Sequence, residues 1–406
     1  MSAEILTFGC RLNAYESEVM RGLTAARPDL LVVNTCAVTA EAERQARQAI
    51  RRAARASPGR SIVLTGCAVQ RDPAAWRALP GVSRVLGNAE KLRPDSWETE
   101  ADAVADIMTA PAAPARPVTE FAGRARAFVQ VQQGCDHRCT FCAIPFGRGP
   151  NRSVAPAEVL AQARSLLDAG FRELVLTGVD IASYGADQPG GPRLGDLARQ
   201  LLAALPDLPR LRFSSLDPAA IDPALWRLLA EEPRVMPHLH LSLQAGSDLI
   251  LKRMKRRHLV RDAAAVIARA RDLRPGIAIG ADLIAGFPTE TDALFAETRD
   301  FVAAAALPYL HVFPYSERPG TPAARMPPVP VATRRARAAA LRALAAGPAF
   351  FAAMDGRRIA VLAETDRAGH SEHFAPVRLT APAAPGQVIA AIVVAADAAG
   401  VTATPI

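Results

Sequence analysis

Phe128-Val129-Gln130-Val131-Gln132-Gln133-Gly134-Cys135-Asp136-His137-Arg138-Cys139-Thr140-Phe141-Cys142 carries an apolar run directly into three cysteines. The run has the length and the Phe/Val content of a buried strand. In a parallel sheet its C-terminal end and the following loop lie on the edge where such folds collect their chemistry. Three thiols are thus delivered together to one mouth, with no fourth cysteine nearby.

A cubane of four irons takes one ligand per metal, so three thiolates leave one iron open. That vacancy can hold the amino and carboxylate groups of S-adenosylmethionine, and an electron passed into the bound sulfonium then breaks a carbon–sulfur bond. Two plainer uses compete. Structural zinc wants four ligands, for which His137 inside the loop is a candidate, and free cysteines also serve as small buried hydrophobes. The crowding of Cys135, Cys139 and Cys142 into eight residues favours the cluster.

Outward from this strand, further candidates recur at Leu174–Thr177, Leu211–Ser214, Leu239–Leu243, Ile277–Ile284 and Leu310–Phe313, with helical stretches between them. Five βα repeats and a sixth strand fall short of the eight of a closed barrel, so a partial (β/α)6 barrel is expected. Thr177, Gly178, Ser214, Ser215 and Gln244 then sit at strand C-terminal ends, where polar groups face the open site.

Upstream, Ile5–Phe8, Leu30–Val33 and Ile62–Leu64 alternate with Ala/Arg/Glu-rich helical stretches, the pattern of a small parallel α/β sheet. Cys10, Cys36 and Cys67 each come just after one of these strands. All C-terminal strand ends of such a sheet share one edge, so these thiols converge and predict a second three-cysteine cluster. Gly9 and Gly66 allow close backbone approach, and Asn13 and Asn34 offer hydrogen bonds to its sulfurs or simple turn chemistry.

The expected organisation is an N-terminal domain over 1–110, a linker over 111–120 carrying Pro111, Pro114 and Pro117, a barrel over 121–348 and a small β domain over 349–406. The last rests on short segments at Ile359–Ala363, Ala375–Leu379 and Val388–Val394. Neither a secretory leader nor an 18-residue apolar run is visible, so a cytoplasmic protein without a membrane segment is expected. A reducing cytosol disfavours disulfides among the six cysteines. The formal charge of +8 suits a polyanionic partner or an arginine-rich composition. Two basic stretches, Arg44/Arg47/Arg51/Arg52/Arg55 and Lys252/Arg253/Lys255/Arg256/Arg257, are candidates for nucleic-acid phosphates or plain solvated faces.

The two cysteine sets, together with His238-Leu239-His240-Leu241-Ser242-Leu243-Gln244-Ala245-Gly246-Ser247, Gly286-Phe287-Pro288-Thr289-Glu290-Thr291 and Tyr315-Ser316-Glu317-Arg318-Pro319-Gly320-Thr321, resemble the methylthiotransferases, a branch of the radical S-adenosylmethionine enzymes. Gly9-Cys10-Arg11-Leu12-Asn13-Ala14-Tyr15-Glu16-Ser17-Glu18 looks like the MtaB branch. That resemblance implies methylthiolation at C2 of N6-threonylcarbamoyladenosine, just 3′ of a tRNA anticodon. Isopentenyladenosine tRNA or a ribosomal-protein aspartate is the alternative target. It further implies two [4Fe-4S] clusters, S-adenosylmethionine, a flavodoxin- or ferredoxin-like electron donor, a monomer, and Phe141 packed near the adenosyl group. The tail resembles a TRAM domain, an RNA-associated β-barrel, through Gly356, Glu364 and His370-Ser371-Glu372-His373-Phe374, although its charge is not basic overall.

Overall fold

The computed structural model describes residues 2–110, 116–121 and 123–406. Strands β1 (Glu4–Thr7), β2 (Leu30–Thr35), β3 (Ser61–Gly66) and β4 (Val82–Val85) form a parallel sheet in that order. Every residue of β2 is buried, as expected of a strand covered on both faces. The sequence reading did not anticipate β4, a four-residue strand interrupted by Arg84. Its guanidinium is consumed by the carbonyls of Ser96, Thr99 and Ala101, which permits burial.

Helix α1 (Arg11–Leu23) serves two cores at once. Met20 packs with Leu30 and Val32 of the first sheet, whereas Leu12, Tyr15 and Val19 join the core built on Phe128, Val129 and Leu166. The segment 116–121 is fastened to the body on both sides. The Tyr15 hydroxyl donates to Arg116 O at 3.0 Å, and the Gln162 amide exchanges two 2.8 Å hydrogen bonds with the Val118 backbone. Pro111 and Pro114 lie outside the described residues.

The second sheet system begins with β5 (Ala127–Gln130), followed at the mouth by the short antiparallel pair β6 (Gln132–Gln133) and β7 (Arg152–Ser153). Then come β8 (Glu173–Thr177), β9 (Arg210–Phe213), β10 (His238–Gln244), β11 (Ala278–Ala285) and β12 (Tyr309–Pro314). Apart from the β6–β7 pair, the strands run parallel in two sets of three, β5-β8-β9 and β10-β11-β12. Single bridges Leu211–Val235 and Leu216–Leu241 join the sets. This is the open six-stranded barrel expected from the repeat count.

The tail closes into a barrel of β13 (Arg358–Ala363), β14 (Ala368–Ser371), β15 (Pro376–Leu379), β16 (Val388–Asp397) and β17 (Gly400–Pro405), ordered β13-β14-β15-β17-β16. β14 and β17 escaped the sequence reading because Gly369, Gly400 and Pro405 depress their strand signal.

This tail docks through buried charge. Glu173, fully buried, accepts from Arg210 at 3.2 Å and Arg212 at 2.9 Å and is ion-paired with Arg126 at 3.1 Å. Arg210 and Arg212 in turn donate to Ala360 O and Ser371 O of the tail, at 2.7 and 2.9 Å. Of the segment His370–Phe374, Phe374 stacks on His370 and lies beneath Arg126 and Arg212. These residues, which suggested an RNA-associated domain, hold the tail to the barrel.

His373 sits in the same seam. Burial, then Arg212, lowers its pKa from 6.5 to about 4. Its nearest carboxylate, Glu372, is 3.9 Å away. A histidine with a depressed folded-state pKa weakens the fold as pH drops below its unfolded value, fully so below the folded one. His373→Gln is therefore expected to gain thermal stability relative to the parent between about pH 6.5 and pH 4. Superimposable Tm-against-pH curves for the two proteins would contradict this.

Candidate active site

Gly66 at the end of β3 has φ +99°, and a Cβ there would meet Thr35 O at 2.2 Å. At Gly9, φ +98°, a Cβ would lie 2.6 Å from Cys36 Sγ. Both positions require glycine, and they bring the β1, β2 and β3 ends close enough for Cys67 to raise the thiols of both Cys10 and Cys36. Cys10 opens onto the recess, whereas Cys36 and Cys67 are buried. Burial, then Cys67, pushes Cys36 up to about 12.

The floor of this recess is cationic. Glu16, Lys91 and Arg148 are all buried, with Lys91 Nζ 2.7 Å from Glu16 Oε2 and Arg148 donating to both Glu16 oxygens. Burial would raise Glu16, but Arg148 and then Lys91 outweigh it and hold the carboxyl below its ordinary range. Arg148 Nε–H also donates to Cys67 Sγ at 3.0 Å, and the Val38 N–H to Cys36 Sγ at 3.4 Å. Two cations facing one carboxylate leave a positive excess that suits an anionic thiolate cluster. Three clustered thiols, two obligate glycines and donors aimed at sulfur together fit a [4Fe-4S] group.

Asn13 and Asn34 do other work. The Asn13 amide donates to Phe8 O and Thr35 O, at 2.7 and 3.0 Å. The Asn34 amide donates to Asn13 O and Ser17 Oγ, at 3.0 and 3.1 Å. They tie the Cys10 and Cys36 loops together.

Cys135, Cys139 and Cys142 are half-buried on the loop after β6. Burial, then Asp180, pushes Cys135 up to about 12, and burial pushes Cys142 to about 11. Arg256 lies 3.8 Å from Cys139 Sγ and pairs with Asp217 at 3.3 Å, so it leaves the basic stretch to serve this loop. Lys252, Lys255 and Arg257 stay exposed. His137 Nε2 is 2.9 Å from Asp180.

A cavity of about 260 Å³ adjoins this loop and is lined by Phe141, Cys142, Gln244, Asp282, Tyr315 and Ser316, with Val38 and Thr39 bringing the Cys36 loop to its rim. Gln244 holds φ +70° at the end of β10, after a register shift, a backbone state stored mainly at functional positions. Thr177, Gly178 and Ser214, at the ends of β8 and β9, do not line the cavity. A Cβ on Gly178 would strike Gln132. The neighbour Ser215 turns inward, 2.7 Å from Ser242 Oγ and 3.2 Å from Asp282. His240 and His311, at 3.0 and 3.5 Å, hold the Asp282 carboxyl well below its usual range despite burial.

The helix Asp292–Ala305 is capped by Thr291, which accepts from Leu294 N at 3.3 Å, and Thr289 holds φ +69° in the preceding turn. Glu290 closes that turn by accepting from Gly286 N at 2.8 Å. Arg148, Asp282, Lys91 and Glu16 were missed as site residues, because nothing local in sequence distinguishes a buried arginine from a solvated one.

The recess, the loop and the open barrel define a radical S-adenosylmethionine enzyme. The chain matches the Radical SAM superfamily over residues 129–302 and the uncharacterized protein family UPF0004 over residues 2–87. It is 46% identical over 394 residues to the threonylcarbamoyladenosine tRNA methylthiotransferase MtaB of Rickettsia prowazekii, covering 96% of this chain and 94% of that one. The chain belongs to the MtaB family of tRNA methylthiotransferases. The Bacillus subtilis MtaB is 37% identical, over 79% of this chain and 74% of its own. A tRNA-2-methylthio-N(6)-dimethylallyladenosine synthase of Maricaulis maris is 34% identical, over 89% and 86%. Among solved structures, the radical S-adenosylmethionine methyltransferase TsrM of Kitasatospora setae shares the fold, with a TM-score of 0.54 at 17% identity over 77% of this chain and 67% of that one. No helix among the described residues is long and apolar enough to cross a membrane.

Proposed function

We propose that this chain installs a methylthio group at C2 of N6-threonylcarbamoyladenosine in tRNA, with Cys135, Cys139 and Cys142 holding one [4Fe-4S] cluster and Cys10, Cys36 and Cys67 a second. The observation that carries the reading is the Arg148–Cys67 hydrogen bond of 3.0 Å. Arg148 ends the short helix Ile144–Arg148 that follows Cys142, so the two thiol trios share one wall. When bound, the clusters and S-adenosylmethionine supply sulfur and one-electron cleavage, which an adenine C2–H needs because it is too weakly acidic for side-chain bases.

The chain's own residues bind and orient. Phe141 and Gln244 wall the adenosyl group beside Cys142, and Thr177, Gly178 and Ser214 contact the cofactor from the neighbouring strand ends. Asp282, anchored by His240 and His311, presents a fixed negative charge to the same cavity. Arg44, Arg47, Arg51 and Arg55 project from one face of α2 (Ala40–Ala56) and contact tRNA phosphates. The division at 1–110, 111–120, 121–348 and 349–406 belongs to the same proposal, as do a monomeric state, a cytoplasmic setting and a small flavodoxin- or ferredoxin-like electron donor.

The test is mass analysis of nucleosides from tRNA incubated with anaerobically reconstituted enzyme, reductant and S-adenosylmethionine. The expected product is 2-methylthio-N6-threonylcarbamoyladenosine. Product on dimethylallyl- or isopentenyladenosine alone, or on a ribosomal protein, would overturn the assignment.

A further inference from the structure

A second cavity, of about 440 Å³, lies toward the N-terminal ends of the barrel strands, beneath the tail domain. Arg11, Arg124, Arg126, Arg212, His238 and Phe374 are prominent in its lining. Arg11 is the first residue of α1 and follows Cys10 directly, so one side chain connects the cysteine recess to this space.

Its charges do not balance. Glu364 is the one carboxylate in the lining, and it is already engaged by Arg126 and by His370 at 3.1 Å. Glu173, behind the wall, is shared among Arg126, Arg210 and Arg212. The Arg11 side chain, half-buried, makes no ion pair or hydrogen bond among the described residues. Arg212 is 3% exposed and His238 6%, yet Arg212 Nη1 and His238 Nδ1 have no partner. Burial, then Arg126, pushes the Arg11 guanidinium down, against the opposing pull of Asp282.

Burial, then Arg212, pushes His238 well below its ordinary value, so the ring is neutral and the positive charge here belongs to the guanidiniums. A buried Arg212 with a free N–H beside a half-buried, unpaired Arg11 calls for an anion. The remaining walls include Phe128, Phe213 and Phe374, which suit the organic body that carries the anion rather than a bare inorganic ion. Methylthiotransferase relatives of two kinds match this chain, some named for a threonylcarbamoyl and some for a dimethylallyl adenosine. Only the first substituent bears a carboxylate.

We propose that this cavity takes the carboxylate of the amino-acid substituent on the target adenosine, with Arg11 as the cation that distinguishes a carboxylate-bearing nucleoside from an alkylated one. The assignment rests on the reaction proposed above.

The test compares anaerobically reconstituted parent, Arg11→Gln and Arg11→Lys enzymes on two tRNAs. One carries threonylcarbamoyladenosine, and the other carries the same nucleoside with its carboxylate converted to the methyl amide. Iron content is measured on each enzyme, because Arg11 adjoins Cys10. Arg11→Gln alone and the amide alone are each expected to raise KM for tRNA by about 10- to 100-fold, the range of a charge-assisted hydrogen bond. Both changes together raise it no further, since they remove the same contact. Arg11→Lys recovers part of the loss. Effects that multiply, a loss confined to kcat on both tRNAs, or a rise in KM for S-adenosylmethionine instead of tRNA would each overturn the assignment. The last would give the cation to the cofactor's own carboxylate. With no methylthio product from the parent on either tRNA, the reaction itself is misread and this assignment falls with it.

Discussion

Cys139→Ala is expected to abolish reductant-dependent formation of 5′-deoxyadenosine, while Cys36→Ala retains that cleavage and yields no methylthio nucleoside. Each trio supplies only three ligands, so losing one leaves a cluster held by two. Cys139 also stands 3.8 Å from Arg256, whose pairing with Asp217 fixes the loop. The expected loss of cleavage is at least ~1000-fold, or about 4 kcal/mol in barrier terms. Cys36 sits on the other site, where its neighbours are Gly9 and the Val38 N–H. Iron analysis should find roughly four irons per chain in either variant against roughly eight in the parent. Full product from either variant would refute this separation of roles.

Glu16→Gln is expected to be the most destabilising isosteric change in the first domain. It leaves Lys91 and Arg148, both buried, without a counter-charge. Breaking such a pair from one side costs about 3–5 kcal/mol. Burial already lowers Lys91, with Glu16 the main opposing influence, so the variant's lysine falls further. A lysine with a depressed folded-state pKa penalises the fold below its unfolded value, and the penalty fades as pH rises toward about 10.4. Urea unfolding of iron-free protein should therefore show a parent–variant gap that is wide at neutral pH and narrower near pH 9.5. A gap under about 1 kcal/mol, or one independent of pH, would show that the carboxylate is not the counter-ion.

The positions of all six cysteines were legible because a parallel sheet sends every strand C-terminus to one edge, and strand ends can be read from apolar runs. The six barrel strands were legible for the same reason. What stayed hidden depends on partners far apart in the chain. Arg148 meets Cys67 and Glu16, and Glu173 gathers Arg126, Arg210 and Arg212, through contacts that no local period encodes. The basic stretch at 252–257 looked uniform, yet Arg256 turns inward to Ser242 O at 2.8 Å while its neighbours stay in water. Ser214 and Ser215 were indistinguishable until alternation on a real strand end turned the second toward Asp282.

Leu12, Tyr15 and Val19 on α1 have consequences for synthesis of the chain. Their covering residues, among them Phe128, Val129 and Leu166, emerge from the ribosome more than a hundred positions later. The nascent first domain can hydrogen-bond its own sheet, but it must wait with one greasy helix face uncovered, the kind of surface that recruits chaperones. Its folding is completed from downstream.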